Sequence, residues 1–263
     1  MFNFFELVMN ENMKIYRRPR AWIMAGILVL LEACISLVAY SVTNDPPTMW
    51  YMFGLETQLL FMLVTIFAVI ISAGSVADEF ATGTIKLLLI RPWSRSKILL
   101  SKYIANLMFG ILLTVILFVF ALLINMLLFG YGNETANEAF GVPYSGSALS
   151  YQLQYYGLNI ITLIVTLTMA FMISTIFRSS ALAIGISIFL IVVVNSFTPL
   201  LAMMDKKWVD YVLFIHLDLT QYLNGNPLRE GMGYGFSLLV LAVYYAIFIA
   251  LTWYIFNKRD VAA

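Results

Sequence analysis

The stretch "DEFATGTIKLLLIRPWSRSKILLSKYIA", Asp78 to Ala105, decides how the rest of the chain is read. It stands between two long apolar runs, yet it carries an acidic pair, Gly83, Pro92 and five basic residues. The runs on either side are too long for buried strands and lack period-2 alternation, which favours helices. A polar interruption of this kind is either a solvated amphipathic connector at a membrane surface or a docking element for a second protein.

Composition supports the membrane setting. Of 263 residues, 62% are hydrophobic and 11% charged, against about 45–50% and about 25% for soluble domains. Mean hydropathy is +0.91. Cys34 is the single cysteine and lies in an apolar run, so neither a disulfide framework nor a thiolate metal site is expected. The first twenty residues lack the charged, apolar and small-residue succession of a removable signal peptide.

A helical span needs about 20 mostly apolar residues. Six segments qualify: Ala21–Val42, Leu55–Val76, Tyr103–Phe129, Leu153–Phe177, Ala181–Met204 and Phe236–Phe256. An even count places both termini on one side. If that side is the cytoplasm, twelve basic residues lie inside and three (Lys206, Lys207 and Arg229) lie outside, as the positive-inside rule requires. The expected fold is all-α: one polytopic transmembrane domain over residues 1–263. Within it, 1–20 form an interfacial helix, 77–102 a cytoplasmic loop, and 203–235 an external re-entrant or interfacial segment. Phe5, Val8, Met9, Met13 and Tyr16 recur near helical spacing in the first of these, and "RRPR" then turns the chain into the first span.

Pro199 in "NSFTP" removes a backbone donor and predicts a kink in the fifth span. Ala181 with Gly185, and Ala183 with Ser187, stand four apart and permit close helix approach in lipid. From Trp208 to Leu223, apolar residues recur at three- to four-residue steps, which predicts one or two short amphipathic helices outside.

The chemistry-bearing residues are few. There is no G-x-x-x-x-G-K-[ST] stretch, so this chain offers no phosphate loop of that type. His216 is the only histidine and reads as a structural residue rather than a metal ligand. No nucleophile elbow is present, and no catalytic or metal site is assigned. Glu32 is the one carboxylate deep in an expected span. Such a group either lines a pathway or stays protonated against a neighbouring helix, and both readings stay open.

In the opening stretch, Asp78 and Glu79 are placed in the first turn of a helix, where acids complement the dipole. Gly83 weakens the middle of that helix or admits another backbone. Pro92 ends it, and Ser94 caps the next helix, which carries Lys97 and Lys102 at the inner boundary. The residues Glu79, Phe80, Gly83, Thr84, Leu87–Leu89, Pro92, Ser94, Arg95 and Lys102 resemble the signature of type-2 ABC exporter permeases. The family pattern is a Glu-Phe-x-x-Gly-Thr stretch, a Leu-rich segment, a Pro, then Ser-Arg and a basic helix start.

The resemblance implies a coupling helix at Asp78–Ile90, with Asp78, Glu79, Phe80, Gly83, Thr84, Leu87 and Arg91 docking on a separate ATPase. It implies two ATPase copies, which bind ATP and Mg, and a second permease chain, identical or homologous. This chain itself would hold no cofactor and bind no nucleic acid. The setting implied is a bacterial plasma membrane with cytoplasmic termini, and Glu32 and Asn195 become pathway candidates near a dimer seam. The external loops carry more acidic than basic residues, which favours a cationic or amphipathic cargo such as an antimicrobial peptide, and hence a role in antibiotic resistance. A membrane sensor or regulatory subunit is the alternative. An intramembrane enzyme is disfavoured by the missing catalytic constellation.

Overall fold

The computed structural model describes residues 4–42, 47–84, 93–204, 206–225, 227–229 and 231–258, with the side chains of 194 and 195 outside that description. Helices account for nearly all of it: α1 (Phe4–Tyr16), α2 (Pro19–Val42), α3 (Met49–Ala81), α4 (Arg95–Phe129), α5 (Ala136–Phe140), α6 (Ala148–Ile176), α7 (Ser180–Ala202) and α8 (Tyr234–Lys258). Among the described residues the only strand-like pairing is an isolated antiparallel bridge between Thr135 and Ser147.

Five helices (α2, α3, α4, α6 and α8) are long and apolar enough to cross a membrane, and α7 makes a sixth if its bent halves form one span. All six expected spans are therefore helices. The bend, 46° between Ser180–Val193 and Ser196–Ala202, falls in the turn before Pro199, whose ring cannot fit against the preceding turn of a straight helix. Beside the bend, the Ser196 hydroxyl donates to the Val192 carbonyl one turn back at 3.0 Å.

Local signals explain the helix starts. Pro19 opens α2, a position where its missing N–H costs nothing. Thr48, Ser94, Ser147 and Ser179 each accept a bond from the backbone N–H three residues on, capping α3, α4, α6 and α7. The Ser94 cap is the one expected from the sequence. Between α7 and α8, three short 3-10 helices stand where one or two amphipathic helices are expected: Lys207–Tyr211, Leu213–His216 and Thr220–Tyr222.

The 33-residue α3 is the central helix. It packs on α4, α6 and α7; α2 lies against α4 and α3, α1 against α4, and α8 against α6. One apolar cluster joins α2, α3 and α4 through Leu28, Phe53, Val64, Phe109 and Leu113. Another joins α3, α6, α7 and α8 through Ala68, Val69, Leu167, Ala170 and Leu241. Gly110 permits the close α4–α6 approach, since a Cβ there would stand 2.8 Å from Leu167 Cδ1. Of the small-residue pairs, Ala183 and Ser187 are fully buried, whereas Ala181 faces outward.

Candidate functional site

Two features stand out, one at each end of α3. At its C-terminal end, Asp78 and Glu79 occupy the last turn of α3, not the first turn of a separate helix. The helix stops at Ala81, Thr82 caps it, and Gly83 follows with φ 71°. Gly83 is thus a helix terminator: its left-handed backbone is one that side chains disfavour, and none of the described residues lies within 4 Å of a Cβ added there. The polar connection is correspondingly shorter than 77–102, because α3 runs to Ala81 and α4 begins at Arg95. Thr84 is exposed, with its hydroxyl 2.9 Å from that of Thr82. Phe80 packs beside Val76, Leu99, Tyr103 and Phe256. Leu87 and Arg91 lie outside the described residues, as do positions 85–90 of the expected coupling helix.

Carboxylates at a helix C-terminus oppose the dipole, and four cations offset them. Arg18 Nη1 and Arg20 Nη2 lie 3.4 and 3.8 Å from Asp78 Oδ2. Lys102 Nζ sits 2.6 Å from Glu79 Oε1 and 2.8 Å from Glu11 Oε2, and Lys14 Nζ lies 2.6 Å from Glu11 Oε1. Lys102 and Glu11 are only 3% and 5% exposed. Lys102 is therefore not a headgroup anchor but a buried bridge from α4 to both α1 and α3. Burial raises the Glu11 carboxyl, but Lys102 and Lys14 outweigh it and hold Glu11 below the usual carboxylate range. On α1, Leu7, Glu11 and Ile15 turn inward while Phe5, Met9 and Met13 are exposed. Glu11 is thus one of the residues sequence reasoning missed: the expected apolar face runs through Phe5, Met9 and Met13, which are exposed, and Glu11 lies on the face that turns inward.

Toward the N-terminal end of α3, that helix, α6, bent α7 and the 3-10 segment line an open cavity of about 780 Å³, within the range of drug-sized ligand sites. Its wall carries Tyr51 and Gln58 of α3, Tyr155 and Asn159 of α6, Thr198 of α7, and Asp218. Among the described lining residues there is one carboxylate and no Lys or Arg. Asp218 Oδ1 accepts from the Thr220 hydroxyl and backbone N–H. Gln152, only 2% exposed, leaves Oε1 without a partner at this wall. Such a surface suits an amphipathic molecule, neutral or cationic.

Glu32 does not line this cavity. It is fully buried on the other side of α3. The Asn195 side chain lies outside the described residues. His216 is structural as expected: Nδ1 meets Ser237 Oγ at 2.8 Å and Nε2 meets the Asp210 carbonyl at 2.9 Å. Burial lowers its basicity more than Asp210 restores it. No cluster of three or more His, Cys, Asp or Glu residues fit for a metal ion occurs among the described residues.

Long apolar helices around a central α3 define a multi-pass membrane protein. The chain belongs to the family described as "protein of unknown function (DUF2705)", whose model matches residues 22–262. It is 36% identical to the uncharacterized protein YhcI of Bacillus subtilis (strain 168), over 97% of this chain and 99% of that protein. It is 30% identical to the uncharacterized membrane protein YdbK of the same organism, over 91% and 94% of the two chains.

Proposed function

We propose that this chain is the membrane subunit of an ATP-binding cassette exporter of the type-2 permease kind, working in the plasma membrane with cytoplasmic termini. A separate ATPase, present in two copies, docks on the α3–α4 connection, and a second permease chain completes the pathway. α1 lies in the inner interface with Phe5, Met9 and Met13 toward lipid.

The observation that carries this reading is the continuity of α3. Its inner end holds Asp78, paired with Arg18 and Arg20, and Glu79, clamped through Lys102 of α4 to Glu11 of α1. Its outer half lines the cavity with Tyr51, Leu55, Gln58 and Met62. A push on the connection is passed along one rigid element to the cavity wall, with the ion pairs keeping α1 and α4 in step. Differential contact of this sort is what coupling between two sites requires. The cargo that fits is an amphipathic compound, or one end of an antimicrobial peptide, carrying no net negative charge.

The test is flux of a cationic amphipathic dye in proteoliposomes holding this chain and its ATPase. Gln58→Trp narrows the cavity and is expected to reduce ATP-driven flux about tenfold, about 1.4 kcal/mol of barrier, with ATPase binding retained. Thr84→Arg is expected to weaken ATPase binding instead. Flux unchanged in both variants would overturn the proposal, and ATPase stimulation without any flux would indicate a sensor.

A further inference from the structure

A second polar cluster lies within the spans, away from both the ion pairs and the cavity. α2 buries one narrow stripe, Ala21, Leu28, Glu32 and Ser36. Half of that stripe is polar, although an apolar side chain would pack equally well against helices in lipid. Glu32 and Ser36 are one turn apart on the same face. Facing them are Glu56 and Thr57 of α3, Asn125 of α4 and Tyr156 of α6; of these six residues, five are 0% exposed and Tyr156 is 4% exposed. Glu56 and Tyr156 are the titratable groups that face Glu32, and Glu56 is close enough to act on it electrostatically. No cation forms an ion pair with Glu32 or Glu56 among the described residues; Glu11 and Lys14 of α1 belong to the inner ion-pair cluster.

The hydrogens of this cluster can be counted. Asn125 Nδ2 donates to Glu56 Oε2 at 2.6 Å and to the Ala121 carbonyl at 2.8 Å, which uses both of its hydrogens. Ser36 Oγ contacts both Glu56 Oε1 and Asn125 Oδ1, the latter at 3.1 Å, but has one hydrogen to give. Four contacts share three hydrogens unless Glu56 brings a fourth. With a proton on Oε1, Glu56 donates to Ser36 and Ser36 donates to Asn125, and every contact is satisfied. Independently, Glu32 is fully buried and neither of its oxygens has a partner among the described residues. An ionised carboxylate in that position has neither cation nor hydrogen-bond donor to stabilise it.

We propose that Glu32 and Glu56 form a proton-binding site that seals α2 onto α3 and α4 when occupied and loosens that contact when its protons pass to water. Loss of the Glu32 proton leaves a charge with no hydrogen-bond partner among the described residues, and loss of the Glu56 proton leaves one held only by the Asn125 amide and the Ser36 hydroxyl; either charge gains solvation if α2 moves aside. The site makes the position of α2 proton-dependent. This inference rests on the four-helix contact and stands apart from the ATP-driven reading.

Infrared spectroscopy of the full chain in nanodiscs at pH 8 tests it. A free glutamate, with a pKa of about 4.3, is ionised at that pH. The wild type is expected to show protonated-carboxyl C=O absorption, with one component lost in Glu32→Gln and another in Glu56→Gln, unchanged when NaCl is replaced by choline chloride. A nitroxide on the native Cys34, exposed on the same helix, is expected to gain mobility at alkaline pH in the wild type and not in the Glu32→Gln/Glu56→Gln double variant. Absence of any protonated-carboxyl band in wild-type protein at pH 8 would overturn the proposal even if the variants fail to fold. So would bleaching of the band by sodium, which would make the site a metal-cation site, or an equal nitroxide response in wild type and double variant.

Discussion

α3 meets buried carboxylates near both its ends, and the two groups are stabilised by different means. At its C-terminal end Glu79 and its neighbour Glu11 are held by Lys102 and Lys14. In its N-terminal half Glu56, with Glu32 of α2 beside it, has no cation among the described residues, and a hydroxyl and an amide serve Glu56 alone. The first cluster is ion-paired and ties three helices together. The second is accounted for by carrying protons. A membrane bundle can bury acids either way, but the first is held by ionic partners and responds to protons only at acid pH, whereas the second is held by the protons themselves.

The largest test of this contrast is Lys102→Met, which leaves Glu11 and Glu79 with only the part-exposed Lys14, 2.6 and 3.3 Å away. Breaking a buried pair from one side costs up to about 3–5 kcal/mol, readable as lost stability in denaturant titrations of micellar protein. In the wild type the sign of the pH effect follows from the lowered Glu11 carboxyl. Its contribution is complete above the ordinary value of 4.5 and is lost as pH falls through the lower folded value. In Lys102→Met this dependence is expected to weaken, because Lys14 alone then holds the two acids.

Next in size is Glu32→Gln. A carboxyl that keeps its proton when folded and loses it when unfolded makes stability fall as pH rises, by at most about 1.4 kcal/mol per pH unit. The variant is therefore expected to gain on the wild type between pH 5 and pH 8 in the same titrations, the opposite slope to the inner cluster. A flat difference would break the contrast.

The smallest effect is expected at the helix end itself. Gly83→Ala forces a side chain into left-handed backbone at φ 71°, at a cost of about 1–2 kcal/mol. None of the described residues obstructs a Cβ there, so the cost counted is that of the backbone. Amide exchange is expected to quicken in the last turn of α3 and nowhere else.

The bundle was legible in the sequence because length and apolarity are local properties: each expected span is a helix, Ser94 caps α4, and Pro199 follows the bend in α7. What escaped were pairings across the chain. Glu11 and Lys102 are 91 positions apart, and each alone reads as a surface charge. Glu56 sits seven residues into α3, so it reads as a boundary residue until α2 and α4 close over it. Gly83 was visible as punctuation, but whether it weakened a helix or ended one depended on where α3 stopped. The cavity depends on the bend of α7 and on the 3-10 segment, and neither Gln58 nor Asn159 carries a motif.

The account's central claim is that an external ATPase drives this chain through the α3–α4 connection. It is tested most directly by purifying the tagged chain from its native membrane and assaying the eluate for ATP hydrolysis. The prediction is an ATP-hydrolysing partner in a 1:1 ratio with this chain or its permease pair, lost in Thr84→Arg and retained in Gln58→Trp. A chain that purifies well folded, without an ATPase partner and with no ATP-dependent flux on reconstitution with candidate ATPases, would contradict it.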